Sequence, residues 1–122
     1  MKSVKIINTN NPSVQISSQV CDKFITKLMG LMFRKKIDPY FGLLFIESTE
    51  SRLITSIHMF FMFFDITVLW LNKDFVVVDK ALAKKWRPFY APRHPAQYTL
   101  ELHANRFVDY SIGDKLQVSN EI

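Results

Sequence analysis

The chain has one cysteine, three glycines and no apolar run long enough to span a bilayer as a helix. Each shortage excludes something. A lone Cys21 forms no internal disulfide and supplies no thiol pair for a cysteine-based zinc site, which suits a reducing compartment. Three glycines are too few for a loop that cradles phosphate. The opening residues, Met1-Lys2-Ser3-Val4-Lys5-Ile6-Ile7, lack the apolar stretch and cleavage site of a secretory leader. The greasiest stretch, 57–71, is broken by His58 and Asp65 and falls short of the roughly 18–20 residues a spanning helix needs. The sequence therefore predicts a cytoplasmic protein with no membrane partner.

What is present in excess is aromatic. Eleven phenylalanines bring the aromatic share to 14%, so the interior is expected to be built of rings. At 122 residues the length predicts one domain, 1–122, able to bury its own core without disulfides or a structural metal. The net charge of +5 is uneven: Lys80, Lys84, Lys85, Arg87 and Arg93 come with no acid between Asp79 and Glu101.

Alternation marks the strands. Val14, Ile16, Ser18 and Val20 alternate with polar partners, as do Tyr98, Leu100 and Leu102 with Thr99, Glu101 and His103. This places Glu101 on a wet face. Gly42–Ile46 reads as a buried strand, and 66–71 as one apolar on both faces and central in its sheet. The aromatic segment 53–62 reads as a further strand, turning back near Phe63-Phe64-Asp65 with its rings in the core. Phe24, Leu28 and Leu31 recur at helical spacing after Asp22, and a short helix ending near Gly30 follows. Three prolines leave 86–95 irregular. The pattern predicts a mainly β fold: an antiparallel β-sandwich or partly closed barrel with one or two short helices.

Five segments in order, Gly30-Leu31-Met32-Phe33-Arg34, Gly42-Leu43-Leu44-Phe45, Ile57-His58-Met59-Phe60-Phe61-Met62, Tyr98-Thr99-Leu100-Glu101-Leu102 and Gly113-Asp114, resemble domain-of-unknown-function family 192. These are small, uncharacterised bacterial and archaeal proteins. The resemblance spans about Val14 to Val118 and implies a compact, jelly-roll-like β fold with no established activity. Members usually carry Phe-Pro-Ile-Asp after the aromatic strand, whereas this chain has Phe64-Asp65-Ile66-Thr67. Positions two apart on a strand share a face, so Asp65 stands in the place from which it would substitute for that aspartate.

The residues offer three functional readings. The leading one is a small non-enzymatic domain holding an unknown small ligand or protein partner in a cleft near Arg34, His58 and Glu101. Arg34 would supply a planar fork of donors, against a structural role binding loop carbonyls or Glu101. His58 and Glu101 would supply imidazole and carboxylate, against a histidine at a sheet edge and an ordinary surface acid. The second is a small hydrolase using Glu101 or Asp65 with His58. The third is an anion or nucleic-acid binder through the 80–94 loop, where Lys84, Lys85, Trp86, Arg87 and Arg93 interleave cations with rings. No histidine spacing suggests a metal, no cofactor motif appears, and a monomer or weak dimer is expected.

Overall fold

The computed structural model describes residues 2–120, and the side chains of Phe24, Ile25 and Leu28 lie outside that description. The expected apolar face of the first helix therefore falls largely outside the described side chains. Seven strands form one sheet: β1 (Ser3–Asn8), β2 (Asn11–Cys21), β3 (Phe41–Ser51), β4 (Ile66–Leu71), β5 (Val77–Ala83), β6 (Ala96–His103) and β7 (Leu116–Asn120). A six-residue helix, α1 (Phe24–Met29), and one 3-10 helix, Ala104–Asp109, complete the regular structure among the described residues.

The fold is mainly β, as the alternation implies. The strand order is β5-β4-β6-β3-β2-β1-β7, and the sheet is mixed instead of wholly antiparallel. The exception is β2 with β3, which run parallel with Val20 opposite Leu44. Parallel neighbours need a crossover, and α1 with the 30–40 segment provides it. The sheet is not closed into a barrel, but its two outer strands meet at one corner. Val76 and Lys115 form an isolated antiparallel bridge there, Val77 N–H donates to Asp114 O at 2.9 Å, and Leu116 N–H donates to Phe75 O at 2.9 Å.

Both faces of the central strands are covered. One core joins Ile6, Ile16, Leu44, Leu69, Leu100, Leu102 and Tyr110. The other joins Cys21, Leu31, Leu43, Phe45, Met59, Met62, Val68 and Trp70. Every residue of β4 is buried, in keeping with its double-sided apolar sequence. Burial pushes the Tyr110 phenol above its ordinary pKa, and among the described residues its hydroxyl has no hydrogen-bond partner.

The 53–62 segment is not a strand. Only Ile57 makes a bridge, with Tyr90, while Met59 N–H donates to Arg87 O and Trp86 N–H to Met59 O. The chain therefore lies against the proline-rich 86–90 segment as irregular backbone, and Phe61 adopts φ 60°. Alternation fails here because the inward positions, Met59 and Met62, are three apart, whereas Phe60, Phe61 and Phe63 are exposed. The expectation that this aromatic run forms core is corrected accordingly.

Gly42 fixes how closely β3 and β6 approach. A Cβ there would lie 2.7 Å from Leu102 Cδ2 and 3.2 Å from both the Glu101 carbonyl oxygen and Ile16 Cγ2. The leucine tip has freedom to move, but the strand backbone does not. Gly42→Ala is expected to destabilise the protein by roughly 1–3 kcal/mol, read from the urea midpoint.

Candidate functional site

β3, β6, the end of α1 and the 52–62 loop enclose a cleft of about 400 Å³. Its walls are mostly apolar, with Met29, Met32, Phe45, Ile57, Met59 and Met62 among them. His58 and Glu101 both line it. At the rim Lys27 Nζ meets Glu47 Oε2 at 3.0 Å.

Glu101 is buried, not wet. It sits on the interior strand β6, between Leu43 of β3 and Val68 of β4. Alternation along β6 is real, but both faces are covered, so the polar face of the pattern points into the protein. Burial pushes the carboxyl from 4.5 up to about 8, with the positive charge of Arg34 opposing the rise. A group of that kind is neutral at pH 7 and donates as well as accepts a hydrogen bond. Gly30 lets the helix end lie close to it. A Cβ on Gly30 would stand 3.5 Å from Glu101 Oε1 and 3.4 Å from Phe45 Cζ, and the residue has φ 47°.

The hydroxyls in the lining are committed to the backbone. Thr55 Oγ1 donates to Ser51 O at 2.6 Å, Ser56 Oγ to Leu53 O at 2.6 Å, and Thr99 Oγ1 to Thr55 O at 3.5 Å. Cys21 lies outside the cleft, and burial, reinforced by Glu101, raises its thiol to about 11. Among the described residues no group of three or more His, Cys, Asp or Glu is placed to hold a metal ion.

Arg34 does not line the cleft. It is exposed, with its guanidinium carbon 5.6 Å from the centre of the Phe41 ring, and reaches Glu101 only through its charge. Asp65 is likewise elsewhere, in a shallow depression with Lys35, Lys36 and His103. His103 does not pair with Glu101, and its Nδ1 accepts from Asn105 N–H at 3.0 Å, capping the 3-10 helix. Thr67, where the resemblance implies an aspartate, is buried and donates to Ala104 O at 3.1 Å.

The basic loop is less bare than its sequence suggests. Asp65 accepts from Lys85 N–H at 2.9 Å and meets Lys84 Nζ at 3.4 Å, and the Lys85 N–H bond above all holds its carboxyl below the ordinary range. Burial would raise Asp79, but bonds from the Arg93 side chain and backbone and from Lys80 N–H outweigh it. Lys80 Nζ donates to Phe107 O and Tyr110 O. Arg87 lies over Tyr90, 5.5 Å from its centre. The counter-charges come from Asp65, just before β4, and from Asp79 of β5, pairings that a count along the loop does not reveal.

Sequence reasoning missed the Lys27–Glu47 rim pair and the methionine walls. The one available signal was the spacing of Met59 and Met62, three apart and out of step with a strand.

A mainly β protein with a mostly apolar cleft and a buried carboxyl in its wall is the class that fold and site define. The chain belongs to domain-of-unknown-function family 192, described as "Uncharacterized ACR, COG1430", whose model matches residues 5–118. It is 36% identical over 111 residues to the UPF0127 protein PF1050 of Pyrococcus furiosus, covering 89% of this chain and 92% of the relative. It is 40% identical over 97 residues to PH1112 of Pyrococcus horikoshii, covering 79% and 81%. Against TK1120 of Thermococcus kodakarensis, 43% identical over 83 residues, the match covers 68% of this chain and about half, 51%, of the relative.

Two crystal structures share the fold at 20% identity. One, from Sinorhizobium meliloti, is provisionally described as a transcription regulator and superposes with TM-score 0.82 over 96% of this chain and 92% of its own. The other, a protein of unknown function from Novosphingobium aromaticivorans, gives 0.77 over 94% and 83%. At this identity the likeness speaks for architecture alone.

Proposed function

We propose that the protein is a small non-enzymatic binding domain whose cleft takes a mostly apolar small molecule with one hydrogen-bonding end. The observation that carries this reading is Glu101, a buried carboxyl whose pKa burial raises, in a cleft walled largely by methionine, phenylalanine and isoleucine. Apolar pockets with a few placed polar groups are the usual form of small-ligand sites. Covalent catalysis finds no support, because the Thr55, Ser56 and Thr99 hydroxyls donate to backbone carbonyls. A cytoplasmic setting agrees with the lone buried thiol of Cys21.

A hydrolase reading draws on the presence of His58 and Glu101 in one cleft, with the carboxyl titrating near 8. The two readings separate in a thermal-shift screen of fatty acids, terpenoids, nucleosides and sugars. A ligand at a hundred times its Kd is expected to raise Tm by roughly 10 °C. Binding should weaken as pH rises through about 8, where Glu101 loses the proton it donates. Turnover of a hit supports the hydrolase instead. No shift from any class sinks the small-ligand reading.

A further inference from the structure

Three exposed rings stand in a row beside the cleft. Phe33 stacks on Phe61 with centroids 5.1 Å apart, and Phe61 meets Trp86 edge-on at 5.3 Å. They remain 56%, 43% and 49% exposed. Their sequence neighbours Met32 and Met62 line the cleft, whereas the three rings themselves do not. All three residues have left-handed backbone, with φ 65°, 60° and 66°. Side chains with a Cβ rarely adopt that conformation, and three of the four non-glycine residues with positive φ among the described residues fall in this cluster.

Cations bracket the row. Arg34-Lys35-Lys36 follows Phe33, and Lys84-Lys85 precedes Trp86. Both groups converge on Asp65, which shares a depression with Lys35 and Lys36 and accepts from Lys85 N–H. That one carboxylate takes Lys84 as its ion-pair partner. Among the described residues Lys35, Lys36 and Lys85 have no ion pair.

We propose that the Phe33–Phe61–Trp86 row, with Lys35, Lys36 and Lys85, docks the protein on the surface of an anionic lipid bilayer. The sequence excludes a spanning helix, and among the described residues no helix is long and apolar enough to cross a membrane. Neither fact bears on surface attachment, which needs rings at the headgroup boundary and lysines facing anionic lipid. Single-stranded nucleic acid fits less well. Phe33 and Phe61 turn their faces on each other rather than standing apart as platforms for bases. The exposed aliphatic chains of Met29 and Ile54 at the cleft suit acyl chains and offer nothing to a base. The proposal stands independently of what the cleft holds.

The test is co-sedimentation with phosphatidylcholine vesicles with and without about 30% phosphatidylglycerol. Partitioning onto the anionic vesicles alone is expected, falling as salt rises. Trp70 is buried, so a blue shift in tryptophan emission on binding reports Trp86. Reversing Lys35, Lys36 and Lys85 to glutamate should lower partitioning by roughly 100-fold or more. F33N with F61N should abolish it without lowering Tm, because asparagine tolerates positive φ. Equal binding to neutral vesicles, no binding to either, or full retention in the ring variant would overturn the proposal. So would salt-sensitive capture of a single-stranded oligonucleotide by a protein that ignores the vesicles.

Discussion

Glu101→Gln is expected to make the protein more stable, by about 3–5 kcal/mol at pH 8 and above and by almost nothing at pH 4. The wild-type carboxyl holds its proton to about pH 8 in the folded state, whereas the unfolded chain releases it near 4.5. Between those values the unfolded state binds fewer protons, so wild-type stability falls as pH rises and levels off above about 8. Below 4.5 both states are protonated and the contribution is fully present. Glutamine keeps the shape and removes the titration, at the cost of burying an amide. Urea midpoints of both proteins from pH 4 to 9 measure the divergence. Parallel curves would mean that Glu101 is ionised in place, held by the Arg34 charge. A buried carboxyl with so raised a pKa is the kind of group expected at a working site.

Trp70→Ala is the second large effect, expected to cost about 3–5 kcal/mol. The indole is 1% exposed and packs in the core beneath the cleft. Its Nε1 donates to Thr55 O at 2.7 Å, and Thr99 Oγ1 donates to the same carbonyl. One oxygen therefore ties the irregular cleft wall to two central strands. Trp70→Phe keeps most of the packing and loses the donor, so a smaller penalty of about 1–2 kcal/mol is expected. Hydrogen exchange should separate the two roles. In the phenylalanine variant, amides of 52–62 should lose protection more than those of β4. Equal loss across both would show that the bond does not hold the loop.

Legibility in the sequence followed periodicity. β2, β4 and β6 were readable because alternation or a continuous apolar run reports local geometry directly. The 53–62 stretch was not, because its backbone partners include Phe33, Trp86, Arg87 and Tyr90, contacts that no local pattern encodes. The alternation of β6 placed Glu101 on a wet face, whereas it is buried in the cleft wall. One-sided alternation looks the same whether the polar side meets water or a cleft. Family resemblance located the segments that build the cleft, and it carried no information on their chemistry. The countercharges on Lys84 and Arg93 come from Asp65 and Asp79, nineteen and fourteen residues upstream. Such pairings appear only once topology is known.

The corner where Val76 meets Lys115 has a consequence for behaviour in concentrated solution. Open sheets invite neighbours to add a strand wherever outer amides and carbonyls stand free. Here the backbone of Phe75 and Val77 is already occupied by Gly113, Asp114 and Leu116. Part of each border is thereby used up within the molecule, leaving less template for fibril growth.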